Sequence, residues 1–194
     1  MHLLLATGNR HKTWEFRQLL GEDFGLSDLS DFPEIRSPKE TGETFEQNAI
    51  LKATIISKLT DSLVIADDSG LEVGALGGAP GIYSARYAGE PANDAANIAK
   101  LLRELGNVAQ RAARFRCVIA IARAGRVLES VEGSVEGSIV HLPRGNGGFG
   151  YDPLFQPAGF EQTFAEIPAE LKNQISHRAK AVEALTQALR RLKN

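Results

Sequence analysis

The sequence has few of the features that mark secreted, membrane or nucleic-acid-binding proteins. Its one cysteine, Cys117, cannot form a disulfide within the chain, which is typical of a reducing compartment. No apolar run approaches the length of a membrane span, and the apolar segment at 1–5 is too short for a signal peptide. The 22 basic and 24 acidic side chains nearly balance, without the basic stripe that would bind a nucleic-acid polymer. We therefore expect a cytoplasmic protein whose partners include no nucleic-acid polymer and no membrane.

The composition is that of an ordinary globular protein, with 43% hydrophobic and 24% charged residues. The 194 residues are enough for one sizeable core and too few for two comfortable domains, so we expect a single domain of two lobes over residues 1–194, with no separate linker. Apolar runs that alternate with helical patterns predict an α/β fold. The predicted strands lie near residues 2–6, 63–66, 115–122 and 127–140.

The apolar run at 63–66 leads directly into two adjacent carboxylates, Asp67 and Asp68. Such a run predicts a strand buried on both faces, which would deliver the acids to its carboxyl end, where open α/β sheets bind ligands. Two neighbouring carboxylates repel each other, so a buried pair needs a cation or water nearby. The alternative is a turn with solvated acids, and this segment alone does not decide between them.

A candidate anion site lies at Thr7–Lys12, between the first predicted strand and a helix predicted over Lys12–Leu20. The N–H groups and the dipole at a helix N-terminus favour an anion, and Lys12 would add an ammonium group. The alternative is a plain strand–turn–helix joint in which Asn9 is the N-cap.

A second helix is predicted over Phe45–Leu59, because Thr44 and Gln47 have the spacing of a capping box. Lys52 falls within the apolar stripe of this helix, so its ammonium group would either snorkel to water or enter an enclosed anionic site. Glu40 precedes the helix in a Thr-Gly turn, from which it would reach a site rather than join a core.

Another candidate site combines a glycine-rich segment around Phe149 with cations near the start of the last predicted helix. Small neighbours would let a planar ring stack on Phe149, and Asp152 could accept hydrogen bonds from ring N–H groups. The alternative is a mobile loop that packs one aromatic side chain. Lys172, His177 and Arg178 are cations near a helix N-terminus, where they are unfavourable unless an anion or an acceptor-rich ligand binds.

These elements together predict a nucleotide site. Mg²⁺ prefers oxygen ligands and is usually held by one or two carboxylates together with substrate phosphates. The candidate cations, carboxylates and stacking ring therefore predict a nucleoside polyphosphate bound with Mg²⁺. Cationic donors at the base would favour 6-oxo purines over adenine.

Seven short motifs span the chain, and they are Thr7-Gly8-Asn9-x-x-Lys12, Glu40-Thr41-Gly42, Asn48-Ala49-x-x-Lys52-Ala53, Ala66-Asp67-Asp68-Ser69-Gly70-Leu71, Gly77-Gly78-Ala79-Pro80-Gly81-Ile82-Tyr83-Ser84-Ala85-Arg86, Gly147-Gly148-Phe149-Gly150-Tyr151-Asp152-Pro153 and Ser176-His177-Arg178. In this order they resemble the inosine/xanthosine triphosphate pyrophosphatase (HAM1/RdgB-like) family. The resemblance implies Mg²⁺-dependent hydrolysis of dITP, ITP and XTP to the monophosphate and pyrophosphate by a homodimer. We expect a long, bent mixed sheet flanked by helices, with two lobes and a central substrate cleft.

The resemblance also implies roles for individual residues. It makes Asp68 the proton acceptor for the attacking water and a metal ligand, with Glu40 helping to hold Mg²⁺. Asp67 is an alternative ligand, because adjacent strand residues point to opposite faces. Ser69 would touch the substrate beside the acid. The implied phosphate-binding residues are Thr7, Gly8, Asn9, Arg10, His11, Lys12 and Lys52. The residues implied to hold and read the base are Phe149, Gly150, Tyr151, Asp152, Lys172, His177 and Arg178.

Two other functions fit parts of the pattern. A Maf-like nucleotide pyrophosphatase would act on other bases, but the segments around Phe149 and at 176–178 argue against it. A non-catalytic regulatory module could use the same phosphate sites. The acid pair beside those sites favours an enzyme, and pyrophosphate release distinguishes the two.

Overall fold

The computed structural model describes residues 1–192, which form a mixed α/β fold, as predicted. Within that range helices flank a six-stranded sheet. The strands are β1 (His2–Leu5), β2 (Gly25–Asp28), β3 (Leu63–Val73), β4 (Ala112–Arg123), β5 (Arg126–Ile139) and β6 (Phe155–Pro157). The α-helices are α1 (Arg10–Leu20), α2 (Phe45–Ile56), α3 (Asp94–Leu105), α4 (Ala169–Ile175) and α5 (His177–Leu192). No helix in residues 1–192 is long and apolar enough to cross a membrane.

The sheet has the strand order β2-β1-β3-β4-β5-β6. Strand β1 pairs in parallel with β2 and with β3, whereas β5 and β6 are antiparallel, so the sheet is mixed. Strand β2 lies between helices α1 and α2 and is not among the strands predicted from the sequence. Its residues Gly25–Asp28 include only one apolar side chain, Leu26, so no local pattern reveals the strand.

The chain divides into two compact units. The first contains residues 1–68, 117–133 and 178–192, and the second contains residues 69–116 and 134–177. Each unit has its own apolar core. The core of the first unit includes Leu3, Leu5, Phe16, Ile65, Ile119 and Leu185. The core of the second unit includes Leu71, Leu101, Phe115, Tyr151, Phe155 and Phe164.

Helix α1 begins two residues earlier than predicted, and Asn9 is its N-cap, as the capping alternative proposed. The Asn9 side chain accepts hydrogen bonds from the backbone N–H groups of His11 and Lys12, at 2.9 and 3.2 Å. The helix ends at Leu20, and its C-cap is Gly21, whose φ of 62° lies in the left-handed region that favours glycine. The N-cap at Asn9 places Lys12 in the first turn of the helix.

Helix α2 ends at Ile56, three residues before the predicted end at Leu59. Leu59 is 60% exposed, so it does not extend the buried stripe. The Thr44 side chain accepts a hydrogen bond from the Gln47 N–H at 3.1 Å, as a capping box predicts. The second hydrogen bond of a capping box, from the Thr44 N–H to the Gln47 side chain, is replaced here. Gln47 Oε1 instead accepts from the Glu43 N–H at 2.7 Å.

Candidate functional site

The two aspartates lie inside strand β3 and not at its end, so the predicted end of this strand is wrong. The strand continues through both acids to Val73. Its parallel pairing with β1 stops just before them, because Leu5 pairs with Ile65 and the Ala6 N–H donates to Ile65 O at 2.8 Å. The acids therefore follow the carboxyl end of β1, and the strand's alternation directs their side chains to different partners.

Asp67 is held by two cations from helices at opposite ends of the chain. Its side chain is fully buried, with Oδ2 at 2.8 Å from Lys12 Nζ and 3.5 Å from Arg178 Nη2. Burial alone would raise the pKa of Asp67, but Lys12 and Arg178 outweigh it and hold that pKa well below the usual range. Asp67 is thus a firmly ionised anchor for both cations.

Asp68 has a different electrostatic environment. Its side chain is 7% exposed, and Oδ1 lies 3.1 Å from Lys52 Nζ. Burial raises the pKa of Asp68 to about 6, against the opposing effect of Lys52 and with a further contribution from the negative charge of Glu40. A carboxyl group with this pKa gains and loses a proton near neutral pH, which suits a general base.

The structure decides between the two alternatives for Lys52. Its side chain is only 7% exposed, so it does not snorkel to water, and Nζ lies 2.7 Å from Glu40 Oε1 as well as close to Asp68. Burial would lower the pKa of Lys52, but the charges of Asp68, Asp67 and Glu40 raise it overall. Lys52 therefore enters an enclosed anionic site as a charged ammonium group.

Glu40 and Asp68 fit the requirements of a Mg²⁺ ion. Asp68 Oδ2 is buried and has no hydrogen-bond partner, and the Glu40 side chain remains 24% exposed. Carboxylate oxygens of this kind are what Mg²⁺ accepts, with the remaining positions filled by water and phosphate. Within residues 1–192, no group of three or more His, Cys, Asp or Glu side chains is placed to hold a metal ion. Asp67 fits less well as a direct ligand, because two cations already contact it.

The predicted phosphate turn lies on the same unit as these acids. The Asn9 N–H donates to Thr7 Oγ1 at 3.2 Å, and the Asn9 side-chain oxygen caps helix α1. Gly8, Arg10 and His11 are exposed. Lys12 of this turn contacts the acid pair directly, through Asp67. Phosphate binding by the turn stays a prediction.

Most of the residues predicted to bind the base lie in the second unit. Asp152 is 3% exposed and accepts hydrogen bonds from Lys172 Nζ at 2.6 Å and from the Phe149 N–H at 2.9 Å. Lys172 Nζ also lies 5.4 Å from the centre of the Phe149 ring. The Tyr151 hydroxyl donates to the Ser84 carbonyl at 2.9 Å. The segment is thus internally bonded rather than a loop that packs one aromatic ring.

His177 and Arg178 start helix α5, as predicted, but they have different surroundings. The His177 ring stacks on Phe115 with centroids 4.7 Å apart and an interplanar angle of 11°. Arg178 is 2% exposed, and its guanidinium donates to Glu15 and pairs with Asp67. Its anionic partners are therefore carboxylates of the protein itself, in the first unit, and base reading by Arg178 stays a prediction.

The predicted site residues thus form two clusters, each within one unit. The first holds Thr7–Lys12, Glu40, Lys52, Asp67, Asp68 and Arg178. The second holds Phe149–Asp152, Lys172 and His177, and Ser69 lies in the same unit. That both act on one substrate stays a prediction.

Two residues of these clusters are missed by the sequence reasoning. Glu15 is buried beside Arg178, and Asp94 Oδ2 accepts a hydrogen bond from the Gly150 N–H at 2.7 Å. Glu15 lies three residues after Lys12 on helix α1, so helical spacing from a suspected site residue could have indicated it. No local signal connects Asp94 with Gly150, which lies 56 residues further along the chain.

The chain matches the model of the Ham1 family over residues 3–188. It belongs to the Ham1 family. A relative from Bacillus licheniformis named dITP/XTP pyrophosphatase is 52% identical over 193 residues, covering 96% of this chain and 97% of that protein. One from Desulforamulus reducens with the same name is 51% identical over 195 residues, covering 99% and 97%.

Solved structures of the Ham1 family have the same fold. The Staphylococcus aureus Ham1 protein is 43% identical, covers 98% of each chain and has a TM-score of 0.88. A Ham1 protein from Coxiella burnetii is 40% identical, covers 98% of this chain and 99% of its own, and has a TM-score of 0.89. The family resemblance of the seven sequence motifs and the predicted fold class are thereby confirmed.

Proposed function

We propose that this protein is a dITP/XTP pyrophosphatase, which hydrolyses dITP, ITP and XTP to the monophosphate and pyrophosphate. The observation that carries the proposal is near-full-length identity of 51–52% to two relatives with that name. Such an activity would remove deaminated purine nucleotides from the pool of nucleic-acid precursors. The buried carboxylate and lysine pair of the first cluster supports it, because the reaction needs a proton acceptor beside bound phosphate.

In the proposed reaction Asp68 accepts a proton from the water that attacks the α-phosphorus, and pyrophosphate leaves. A carboxyl pKa of about 6 keeps Asp68 largely ionised at neutral pH and still able to take up the proton. Lys52, 3.1 Å away, orients this carboxylate and offsets charge that develops on the phosphate oxygens. Lys12 and the turn from Thr7 would bind the remaining phosphate oxygens.

Mg²⁺ is the cofactor in this proposal, and Glu40 and Asp68 would hold it. When bound it neutralises phosphate charge as a Lewis acid. Asp67 is the alternative ligand, and its Oδ2 also contacts Lys12 and Arg178.

The second cluster would hold the base. Phe149 supplies a ring face for stacking, and the ammonium group of Lys172 favours the oxygen acceptor at position 6 of hypoxanthine or xanthine. Gly150, Tyr151, Asp152 and His177 complete this part of the predicted set, and Arg178 of the first cluster is also predicted to read the base. Ser69 would touch the substrate beside Asp68. Substituting Arg178→Ala should lower the preference for ITP over ATP more than it weakens triphosphate binding. A variant that prefers ITP as strongly as the parent protein would overturn that assignment.

Homodimerisation and a cytoplasmic location belong to the same proposal. The first rests on the family resemblance, and the second on the single cysteine and the short apolar segment at 1–5. Sedimentation equilibrium measures the first, since the dimer has twice the 21.0 kDa mass of the chain. A monomer at working concentrations would contradict it. Fractionation of cells with a soluble marker tests the second.

One assay tests the function directly. The purified protein with Mg²⁺ is given dITP, ITP, XTP, ATP, GTP and pyrimidine triphosphates, and both the monophosphate and pyrophosphate are measured. We expect 6-oxo purines to be preferred, and Asp68→Asn to lower turnover by about 10²–10⁴-fold. Equal turnover of pyrimidines would favour a Maf-like activity, nucleotide binding without pyrophosphate release would favour a regulatory module, and near-normal ITP turnover by Asp68→Asn would exclude Asp68 as the base.

A further inference from the structure

Helix α2 holds the chain segment that precedes it through a buried amide. Asn48 is fully buried, and its Oδ1 accepts a hydrogen bond from the Gly42 N–H at 2.8 Å. Gly42 lies outside the helix, six residues earlier. The next N–H, of Glu43, donates to Gln47 Oε1 at 2.7 Å. Two successive helix side chains therefore fix two successive backbone groups of the segment Glu40–Glu43.

The close approach of this segment to the helix requires glycine at position 42. A Cβ atom there would lie 2.7 Å from Gln47 Cβ and 2.8 Å from Asn48 Oδ1. The backbone of Gly42 does not have a positive φ, so a side chain would be opposed by contact and not by backbone strain. The backbone of the segment thus packs directly against the Asn48 amide, with no room for a side chain at position 42.

The same face of helix α2 reaches the acid cluster one turn later. Residues four apart lie on one face, so Lys52 follows Asn48 along the helix. Lys52 Nζ contacts Glu40 Oε1 at 2.7 Å. The segment Glu40–Glu43 is therefore tied at Gly42 by Asn48 and at Glu40 by Lys52.

Burial of the Asn48 amide costs free energy, which argues that its hydrogen bond with Gly42 does more than support packing. Its Nδ2 is buried and has no hydrogen-bond partner, although burying such a donor costs about 1–3 kcal/mol. An apolar side chain would avoid that cost but could not accept from Gly42. An aspartate would accept, but it would add a third negative charge near Glu40 and Asp68. An amide at this position gives the acceptor without the charge.

We infer that Asn48 is a positioning residue, which fixes the backbone at Gly42 so that the Glu40 carboxylate stays beside Asp68 for the divalent cation. The inference deepens the proposed function and rests on it only for the identity of Glu40 and Asp68 as ligands. It assigns Asn48 no contact with substrate.

The test is a double-mutant cycle on the intact protein, read by Mn²⁺ titration with paramagnetic resonance. Asn48→Ala removes the acceptor, and Gly42→Ala pushes the segment away from it. Each change should weaken Mn²⁺ binding about tenfold, as loss of a group that orients a metal ligand typically does. The double variant should lose no more than either single variant, because both break one contact.

Asn97→Ala is the matched control. Asn97 is 2% exposed and bonds backbone through both amide atoms, accepting from the Ala88 N–H at 2.7 Å and donating to Ala85 O at 3.0 Å, but it lies in the second unit. It should cost stability without changing Mn²⁺ affinity. Hydrogen exchange supplies a readout independent of metal, since protection of the Gly42 amide should fall in Asn48→Ala and persist in Asn97→Ala.

The inference is overturned if Asn48→Ala binds Mn²⁺ as tightly as the parent protein, if the two losses are additive, or if Asn97→Ala weakens Mn²⁺ binding equally. If Asn48→Ala does not fold, Gly42→Ala carries the test alone, and unchanged Mn²⁺ affinity in that variant overturns it. Failure of the parent protein to release pyrophosphate would contradict the proposed function and leave the outcome of the cycle standing.

Discussion

Lys52 Nζ lies 3.1 Å from Asp68 Oδ1, yet burial still raises the pKa of Asp68 to about 6. The positive charges of Lys52 and Lys12 therefore do not fully offset the loss of water around this carboxylate and the nearby charge of Glu40. By contrast, Asp67 has two cations and a lowered pKa. The two neighbouring acids thus have different pKa values, and Asp68, whose pKa is raised, is the proposed base.

The metal-free protein should become more stable when Asp68 is replaced by Asn. A folded-state pKa of about 6 lies above the unfolded value, so ionising Asp68 destabilises the native state. The native state therefore loses stability as the pH rises from about 4 through about 6, and Asn lacks this loss. Urea unfolding with EDTA should show Asp68→Asn more stable by about 1–3 kcal/mol at pH 8. The advantage should shrink at pH 5, and an advantage that is equal at both pH values would contradict the raised pKa.

Replacing Arg178 by Ala should strongly destabilise the fold. The change leaves the buried carboxylate of Glu15 without the guanidinium that pairs with it, and removes one of two cations from Asp67. Breaking a buried pair in this way costs about 3–5 kcal/mol. Arg191→Ala is the control, because Arg191 pairs with Glu129 at the surface, where loss of a pair costs about 0–1 kcal/mol. Urea midpoints measure both, and equal effects would show that the Arg178 pair is not the cause.

Cys117 should be unreactive towards thiol reagents while the protein is folded. The side chain is fully buried in β4, and burial raises the pKa of the thiol to about 12, so almost no thiolate exists at pH 8. Iodoacetamide labelling followed by mass spectrometry should detect no adduct in the native protein. The same treatment in guanidinium should add one label to each chain. Rapid labelling of the native protein would mean that this strand opens.

Gly148→Ala should weaken substrate binding more than Gly150→Ala does. Both glycines have positive φ, 70° and 60°, so an alanine is strained similarly at either position. A Cβ at Gly148 would also lie 2.0 Å from Asp152 Oδ2, the atom that accepts from Lys172, whereas nothing lies within 4 Å of one at Gly150. We expect KM for ITP to rise about tenfold more in Gly148→Ala, on the scale of one lost charged hydrogen bond. Equal KM values would show that the Asp152 contact does not support the base.

The sequence predicts the secondary structure around the site well where local chemistry determines it. The caps at Asn9 and Thr44 and the glycine at position 21 act within a few residues, so the helix boundaries near them are close to those predicted. Strand β2 escapes prediction because its pairing with β1, and not an apolar pattern, makes it a strand.

The partners of the site residues are less predictable. The position of Lys52 in an apolar stripe is compatible with snorkelling, and only its contacts with Glu40 and Asp68 decide otherwise. The contact between Glu15 and Arg178 joins residues 163 positions apart, and no periodicity encodes it. Motifs thus identify which charged side chains are present, while the fold decides which cation pairs with which carboxylate.

The parallel register of β1 and β3, with Leu5 opposite Ile65, decides which aspartate faces which cation. Deletion of a single residue from the apolar stretch ahead of the acids would exchange their directions without altering which amino acids are present. Lys12 and Arg178 would then face Asp68, the proposed base, and Lys52 would face Asp67. Two chemically identical side chains therefore have different partners and different pKa values because one is at an odd and the other at an even position of the strand.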